Sequence, residues 1–270
     1  MTNKPRVALI GAGAMGGALF RGWIAAGSID PSGSAIFDPG APGEISELAK
    51  ANNVRVNPDI ASGLDFLIIA VKPQMAARVL PAYGLAADGS VAVSVMAGTS
   101  VASLSKALGG PVKIVRAMPN LPAAIGAGVS GLFANSAVTQ EERAGVERLM
   151  AAAGASVWVE KETDIDLVTA VSGSGPAYFF LLAEALAQAG VAAGLTHSTA
   201  TCLAEATLAG AGALMAADGR SAADIRKAVT SPGGTTAAAL HILDGDDGAI
   251  RTLMEKAVAA AAKRAGELAG

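Results

Sequence analysis

Over the first 162 residues, short runs of mostly β-branched apolar residues alternate with longer stretches whose apolar positions recur at helical spacing. The predicted strands are residues 6–10, 35–37, 66–71, 91–95, 112–115 and 156–159. Strands that alternate with helices are typical of parallel βαβ units, whose sheet is covered by helices on both faces. Residues 1–162 are therefore predicted to form an α/β domain.

The pattern changes after residue 162, because no further strand signal follows. Residues 163–270 are predicted to be helical throughout, with breaks where Gly, Pro, Ser or Asp residues cluster. These breaks are expected at residues 172–176, 194–198, 218–221, 231–234 and 244–248. The last of them is acidic and is interpreted as a helix start. The chain is thus predicted to contain two domains, 1–162 and 163–270.

Composition narrows the classes of function. Hydrophobic residues make up 52% of the chain and charged residues 16%, so the protein can bury a substantial core. The net charge is −3 and the basic residues are scattered, which argues against a nucleic-acid partner. One cysteine and two histidines allow no intrachain disulfide and make a Cys/His zinc site implausible, so no metal is expected.

The mean hydropathy of +0.46 is high for a chain with so few aromatic residues, and it reflects alanine-rich segments. The long uncharged stretches are interrupted by Pro, Gly or polar residues, so no membrane span is predicted. Part of the apolar surface is instead expected to form a subunit interface. The N-terminus lacks the long apolar stretch of a signal peptide, which favours a cytoplasmic location.

A glycine-rich turn follows the first predicted strand. The strand ends at Ile10, and a predicted helix over residues 18–26 comes after Gly11-Ala12-Gly13-Ala14-Met15-Gly16. Gly11 permits a tight turn, Gly13 lets the backbone approach a pyrophosphate, and Gly16 lets helix and strand pack closely. The helix N-terminus adds N–H donors and a partial positive charge. The turn predicts a Rossmann-type dinucleotide site, and the alternative is a glycine-rich turn that binds nothing.

Asp38 ends the second predicted strand. An acidic side chain at this place usually accepts hydrogen bonds from the adenosine ribose of NAD. No arginine follows within the next ten residues to neutralise a 2′-phosphate, so the residues favour NADH over NADPH. The alternative is that Asp38 only begins the turn Asp38-Pro39-Gly40.

Three more segments follow strands of the same predicted sheet. They are Ala70-Val71-Lys72-Pro73, Met96-Ala97-Gly98-Thr99, and Arg116-Ala117-Met118-Pro119-Asn120-Leu121-Pro122. Ligands of open parallel sheets bind beyond the carboxyl ends of the strands, so these loops are candidates to frame the nicotinamide. Catalysis by Lys72 is not expected, since a lysine at a strand end is more often a solvated charge.

A second turn lies in the helical region, at Thr230-Ser231-Pro232-Gly233-Gly234-Thr235-Thr236. Its glycines precede a predicted helix over residues 237–243, whose first N–H groups and neighbouring hydroxyls suit a carboxylate. The residues alone fit an ordinary turn with a threonine cap at least as well. Likewise, Ser172-Gly173-Ser174-Gly175-Pro176-Ala177-Tyr178 fits a simple helix restart.

Taken together, these motifs resemble those of the pyrroline-5-carboxylate reductases, the last enzymes of proline biosynthesis. The resemblance spans nearly the whole chain. Its five segments, in order, are 11–16, 70–73, 116–120, 171–178 and the run Ser231-Pro232-Gly233-Gly234-Thr235-Thr236 followed by Ala239-Leu240. The resemblance favours a substrate site over an ordinary turn at 231–236.

The resemblance implies a Rossmann-type domain followed by an all-α dimerisation domain, and a reductase that transfers a hydride from NAD(P)H to a cyclic imine. The substrate would be pyrroline-5-carboxylate, and the protein a homodimer through its helical domain or an oligomer of such dimers. Residues Ser231, Gly233, Gly234, Thr235 and Thr236 would hold the substrate carboxylate, with Thr236 also near the ring nitrogen. The implied cofactor contacts are Ile10, Gly11, Ala12, Gly13, Ala14, Met15, Gly16, Asp38, Ala70, Val71, Lys72, Pro73, Ala97, Gly98 and Asn120.

Three departures from the family pattern concern the cofactor. Asp38 replaces a small or neutral residue, which weakens the expectation of NADPH. Leu121 stands where the family motif has Thr, and Ile60 stands where some relatives carry Asn, with Asn57 nearby. Two other interpretations remain open: a related imine or β-hydroxyacid dehydrogenase, although residues 163–220 lack the lysine that the latter need, and a non-catalytic protein that senses NAD(P).

Overall fold

The computed structural model describes residues 4–59, 63–245 and 248–269. In this part of the chain, eight strands form one sheet in the order β3-β2-β1-β4-β5-β6-β7-β8. The strands are β1 (Val7–Ile10), β2 (Ala35–Phe37), β3 (Arg55–Val56), β4 (Phe66–Ile69), β5 (Val91–Ser94), β6 (Lys113–Met118), β7 (Gly128–Ala134) and β8 (Gly154–Trp158). Every neighbouring pair is parallel except β6 and β7.

Two strands, β3 and β7, are absent from the sequence prediction, and the all-parallel sheet is corrected to a mixed one. Strand β3 has only two residues, which are too few to give a recognisable pattern of apolar positions. Strand β7 carries Gly128 and Gly131, which lower strand propensity. Both glycines are required by close packing. A Cβ added at Gly128 would lie 2.7 Å from the Ala123 nitrogen, and one added at Gly131 would lie 2.5 Å from the Val168 side chain.

The helices follow the predicted alternation and then the predicted helical run. They are α1 (Ala14–Ala26), α2 (Gly43–Ala51), α3 (Ala76–Val79), α4 (Gly84–Ala87), α5 (Val101–Ala107), α6 (Gln140–Met150), α7 (Asp164–Val168), α8 (Gly175–Ala192), α9 (His197–Asp218), α10 (Ala222–Ala228), α11 (Thr235–Asp244) and α12 (Ala249–Ala269). A π-helical turn, Thr169–Gly173, separates α7 from α8. The predicted breaks at 172–176, 194–198, 218–221 and 231–234 each contain a junction between two helical segments, although the first three also include helical residues.

One of the predicted boundaries is wrong. Asp244 is not part of a helix start but the last residue of α11. The rest of that acidic segment includes residues 246 and 247, which lie outside the described ranges.

The sheet carries a hydrophobic core on each face. On one face Phe20, Trp23 and Leu149 are buried, and the Trp23 indole donates a hydrogen bond of 2.8 Å to the Leu149 carbonyl. On the other face Leu67 and Leu104 belong to a second buried cluster. The helices on both faces agree with the covered sheet that the sequence predicts.

The chain divides into two compact units, of which residues Gly175–Ala260 are one and the remaining residues the other. Within Gly175–Ala260, α8 and α9 pack against each other. The hydrophobic side chains buried in the described part of this unit are those of Ala200 and Ala204. Large apolar side chains such as Phe180 and Leu203 are instead 55% and 54% exposed. This unit, called the helical unit below, therefore has almost no core of its own. The other unit is called the sheet unit.

Two stretches, Asp164–Ala192 and His197–Asp218, are long and apolar enough to cross a membrane when judged by length and composition alone. This criterion is weak for one or two helices. The same segments carry the apolar surface that the sequence predicts to lie in a subunit interface.

Candidate functional site

The turn between β1 and α1 has the geometry of a phosphate-binding loop. Gly11 has φ +91°, in the region that favours glycine, and an added Cβ would lie 2.7 Å from the Ala70 carbonyl oxygen. A Cβ at Gly16 would collide with the Gly11 carbonyl oxygen, so helix and strand can approach only with glycine there. A Cβ at Gly13, in contrast, would meet nothing within 4 Å. Each glycine thus fits the role that the sequence assigns to it.

Helix α1 begins at this turn with Gly13 as its N-cap and without a side-chain cap. The first N–H groups of a helix have no partner within the helix, so they are available to an anion. Four other helices are closed at this position by a side chain. Ser100, Thr139, Thr196 and Ser221 cap α5, α6, α9 and α10 with their hydroxyls, and Thr139 forms the predicted capping box with Glu142.

Asp38 lies at the end of β2 and contacts the glycine-rich turn directly. Its Oδ2 accepts a hydrogen bond of 2.7 Å from the Ala12 N–H, and its Oδ1 accepts one of 2.8 Å from the Gly40 N–H. Asn57 fixes the backbone of Asp38, since its amide accepts from the Asp38 N–H at 2.8 Å and donates to the Asp38 carbonyl at 3.1 Å. Asp38 therefore begins a turn and also faces the candidate cofactor loop. Ile60 lies outside the described residues.

The aromatic ring of Tyr83 covers the same end of β2. It contacts Phe37 edge to face, with ring centroids 5.2 Å apart. Burial, and then the negative charge of Asp38, raise the pKa of the Tyr83 hydroxyl. The Tyr83 hydroxyl near Asp38 therefore stays un-ionised at neutral pH. None of the ion pairs in the described residues includes the Asp38 carboxylate.

The predicted strand-end loops meet at one edge of the sheet, because β1, β4, β5 and β6 are adjacent and parallel. The sheet order reverses direction at β1, which places the switch point between β1 and β4. The Gly11 N–H binds the Phe37 carbonyl at 2.9 Å, and the Ala70 N–H binds the Ile10 carbonyl at 2.8 Å. The structure thus brings the glycine-rich turn, Asp38 and residues 70–73 together.

The side chains of these loops differ in exposure. Lys72, Pro73 and Ala97 are exposed, whereas Ile10 is buried and can offer only backbone atoms. Asn120 is buried and its Oδ1 accepts a hydrogen bond of 3.0 Å from the Val129 N–H, so it also anchors β7.

An ion pair between the buried Arg116 of β6 and the partly exposed Glu162 is missing from the sequence prediction. Arg116 is 4% exposed, and its Nη1 lies 3.0 Å from Glu162 Oε1. The same carboxylate oxygen accepts the Val101 N–H at 2.7 Å, at the start of α5. Arg116 Nε and Nη2 are buried without a hydrogen-bond partner in the described structure. The sequence signal was an arginine that follows the apolar residues Ile114 and Val115 within the strand.

The consequence of this pair is local order beside the candidate nicotinamide loop. Glu162 joins β6 to the first residue of α5, which directly follows residues 96–100. An arginine with two unpaired buried donors costs folding free energy, so stability alone does not explain why it is there. We therefore expect the ion pair between Arg116 and Glu162 to matter mainly because it orders residues 96–100.

The turn in the helical unit precedes a helix that, like α1, has a glycine at its N-cap and no side-chain cap. Helix α11 begins at Thr235, and its N-cap Gly234 provides no side-chain cap. Gly233 has φ +71°, and a Cβ at Gly234 would collide with the Ser231 hydroxyl oxygen. The Gly234 N–H itself donates to the Ser231 carbonyl at 3.1 Å, which closes the turn. Ser231, Gly233 and Thr235 are exposed and Thr236 is half-buried.

The residues of this turn are compatible with a threonine cap, but the structure shows none on α11. The first N–H groups of α11 are therefore available to a carboxylate. In the described part of the chain, no three His, Cys, Asp or Glu side chains are arranged so that they could hold a metal ion.

Comparison with known families finds two matches. Residues 162–268 match the model described as pyrroline-5-carboxylate reductase dimerisation. Residues 6–98 match the model described as NADP oxidoreductase coenzyme F420-dependent. The first covers the helical unit, and the second covers the glycine-rich turn, Asp38 and residues 70–73.

Individual relatives resemble the chain over its full length. The pyrroline-5-carboxylate reductase of Pseudomonas aeruginosa is 39% identical over 270 residues, which cover 99% of this chain and 98% of the relative. A pyrroline-5-carboxylate reductase structure from Coxiella burnetii has a TM-score of 0.91 at 35% identity and covers 99% of this chain and 100% of that one. A pyrroline carboxylate reductase from Plasmodium falciparum, solved with NADP bound, has a TM-score of 0.78 at 26% identity, with both chains fully covered.

Proposed function

We propose which residues carry the reaction of this chain, which belongs to the pyrroline-5-carboxylate reductase family. It is an NAD(P)H-dependent oxidoreductase that reduces 1-pyrroline-5-carboxylate to L-proline, the last step of proline biosynthesis. The proposal assigns the cofactor to the sheet edge and the substrate carboxylate to the turn before α11. The observation that carries it is the open, glycine-capped N-terminus at each of these places.

The cofactor is proposed to bind through the turn of residues 11–16, with its phosphates on the first N–H groups of α1. The fit rests on Gly13, where no protein atom lies within 4 Å of an added Cβ, and on Gly11, whose φ of +91° suits glycine. Ile10, Ala70, Val71, Lys72, Pro73, Ala97, Gly98 and Asn120 are proposed to border the cofactor from the neighbouring strand ends. When bound, NAD(P)H supplies the hydride that reduces the ring imine carbon.

Asp38 is proposed to select NADH over NADPH. Its two oxygens accept from Ala12 and Gly40, which leaves further lone pairs on each oxygen for ribose hydroxyls. A 2′-phosphate would meet the carboxylate charge without a compensating cation nearby. Replacement by serine should lower the ratio of kcat/KM for NADH to that for NADPH by about tenfold, equal to about 1.4 kcal/mol. An unchanged ratio would remove Asp38 from cofactor selection.

The substrate carboxylate is proposed to bind the N–H groups at the start of α11, with the hydroxyls of Ser231, Thr235 and Thr236 beside it. Gly233 and Gly234 supply the backbone shape that leaves these groups exposed. A helix N-terminus favours an anion through both its free donors and its partial charge. The ring is thereby held at one point, and a second contact is needed to orient it.

Thr236 is proposed to supply that second contact at the ring nitrogen. Protonation of a cyclic imine makes its carbon a strong electrophile, so the protein mainly has to hold the ring in a near-attack orientation. A threonine hydroxyl is too weak an acid to protonate the imine by itself, and its role is to orient the nitrogen and relay a proton. A Thr236→Ala variant that loses no more than about twofold in kcat/KM would remove Thr236 from the mechanism.

The match to a dimerisation model and the exposed apolar faces of α8 and α9 support a homodimer through the helical unit. We propose that the functional boundary between the domains lies between residues 162 and 163, that dimers can assemble further, and that the protein is cytoplasmic. On this proposal the two long apolar helical stretches contact a second chain rather than a membrane or a nucleic acid.

The deciding measurement is the decay of absorbance at 340 nm with pyrroline-5-carboxylate, run in parallel with NADH and NADPH. Oxidation that depends on the imine is expected with at least one cofactor, and a higher kcat/KM is expected with NADH. Tight cofactor binding without oxidation of either cofactor would contradict the assignment of the substrate site.

A further inference from the structure

Three charged side chains form a network at the far end of α11. Asp244 is the last residue of α11, and both of its oxygens pair with Arg251 of α12, Oδ1 with Nε at 2.5 Å and Oδ2 with Nη2 at 2.6 Å. Oδ2 also accepts from Arg226 Nη1 of α10 at 2.9 Å. One carboxylate thus joins three consecutive helices.

This ion-pair network connects the two helices on either side of the turn at residues 229–234. Arg226 lies in the last turn of α10, and its carbonyl oxygen accepts a hydrogen bond of 2.6 Å from the hydroxyl of Thr230, the residue before Ser231. Its guanidinium reaches Asp244 on the helix that begins after the turn. The chain on both sides of the turn is therefore tied together through Arg226.

Arg251 adds the third element. The N–H groups at the start of α11 point along the helix axis, so the direction of that axis decides where they are presented. Because Arg226 and Arg251 both bind Asp244, they hold the C-terminal end of α11 against α10 and α12 and so restrict the direction of its axis. A bidentate guanidinium–carboxylate pair gives more geometric definition than a single contact.

We propose that Asp244 is a positioning residue for the substrate: by pairing with Arg226 and Arg251, it holds the Ser231–Thr236 turn in the geometry that binds the substrate carboxylate. The inference rests on the proposed role of that turn. Hydrogen bonds from Arg251, and further from Arg226, lower the pKa of the Asp244 carboxyl, so the network stays charged at neutral pH. Exposed ion pairs contribute little to stability, which makes position the more important consequence.

The chain contains a matched control for this network. Asp218, at the end of α9, pairs with Arg220 through the same atoms, Oδ1 with Nε at 2.5 Å and Oδ2 with Nη2 at 2.6 Å. The two carboxylates are nearly equally exposed, at 16% for Asp218 and 13% for Asp244. In the described structure, the Asp218 pair is local and bridges no other helix.

The test compares Asp244→Asn with Asp218→Asn in the full-length enzyme. Asparagine keeps the size of the side chain but loses its charge and one acceptor oxygen. For Asp244→Asn we expect the KM for pyrroline-5-carboxylate to rise about tenfold, the inhibition constant of L-proline to rise in parallel, and kcat to change less than about threefold. The dissociation constant of NADPH, measured by fluorescence without substrate, should be unchanged. Asp218→Asn should leave all four constants within about twofold of those of the unmodified enzyme.

Two further variants protect the test against a general folding defect. Asp244→Glu keeps the charge and should recover part of the KM increase, and Arg251→Lys keeps a cation but not the bidentate pair and should raise KM by an intermediate factor. A KM for Asp244→Asn within about twofold of the original would overturn the proposal, as would equal effects from the Asp218 control. If Thr236→Ala and Gly234→Ala, whose Cβ would collide with the Ser231 hydroxyl, also leave the substrate KM unchanged, the assignment of the turn itself fails. If they raise KM and Asp244→Asn does not, only the positioning role fails.

Discussion

The sheet unit and the helical unit differ in where their large apolar side chains lie. In the sheet unit Phe20 and Trp23 are fully enclosed, whereas in the helical unit Phe180 and Leu203 remain more than half exposed. Burial of such side chains is the main source of folding free energy. The first unit therefore supplies its own stability, and the second is expected to gain most of its stability from another chain.

The two candidate binding turns differ in a corresponding way. The turn at 11–16 is shaped by contacts within the sheet unit, such as the hydrogen bond from the Ala12 N–H to the Asp38 carboxylate and the close approach of Gly11 to the Ala70 backbone. The turn at 231–236 has no buried core beneath it and is flanked by exposed arginine–aspartate pairs. The cofactor turn is thus supported by the core of its own unit, whereas the substrate turn depends on ion pairs between helices.

The largest expected effect comes from placing a charge on the apolar face of α8. Phe180→Asp should weaken self-association by at least about 100-fold, since a buried charge without a partner is strongly unfavourable. Reductase activity should fall by a similar factor at low protein concentration. Sedimentation and kinetics over a range of concentrations would measure both, with Phe180→Leu as the apolar control.

The same variant also tests the independence of the sheet unit. NADPH should bind Phe180→Asp within about threefold of the original affinity if that unit folds and binds by itself. Loss of cofactor binding together with self-association would show that the two units depend on each other for folding.

A second prediction contrasts two glycines of the same turn. Gly13→Ala should fold normally, because its Cβ meets no protein atom within 4 Å, but the dissociation constant of NADPH should rise by at least about 30-fold. Gly16→Ala should instead lower thermal stability, because its Cβ collides with the Gly11 carbonyl. Melting curves and fluorescence titrations separate the two outcomes. Equal NADPH affinity in Gly13→Ala and the original protein would mean that no ligand approaches Gly13.

A third prediction concerns the ion pair between Arg116 of β6 and Glu162. Glu162→Gln leaves the Arg116 charge uncompensated and weakens the link to Val101, so the melting temperature should fall by about 3–6 °C. The KM for NADPH should rise about threefold if the pair orders residues 96–100 next to the cofactor. The control is Glu142→Gln, which removes an ion pair with Lys113 at the opposite end of the same strand. That variant should reduce stability without affecting the KM for NADPH.

The sequence predicts most of the sheet unit because its strands are continuous apolar runs and its glycine-rich turn has a strict order. It misses β7, where Gly128 and Gly131 are required by neighbours that only the folded chain brings near. It also misses the partner of Arg116, because Glu162 lies 46 residues away in sequence. It misses the place of Asp244 in α11 because the acidic, glycine-containing segment resembles a helix start. In the helical unit, the breaks are predicted well because Gly, Pro and hydroxyl residues act locally.

The smallest expected effect concerns the acid stability of the sheet unit. Burial raises the pKa of the Glu142 carboxyl, but hydrogen bonds from Lys113 and Thr139 outweigh it and hold that pKa below its usual value. A carboxyl whose pKa is lower in the folded state contributes stability above its unfolded pKa, and the contribution is lost as the pH falls through the folded value. Between pH 7 and pH 4, the melting temperature of the original protein should therefore fall by about 1–2 °C more than that of Glu142→Gln, which cannot titrate there. Parallel melting curves would show no difference if the capping box is not intact in solution, and the sheet unit would then depend less on its local contacts than its structure indicates.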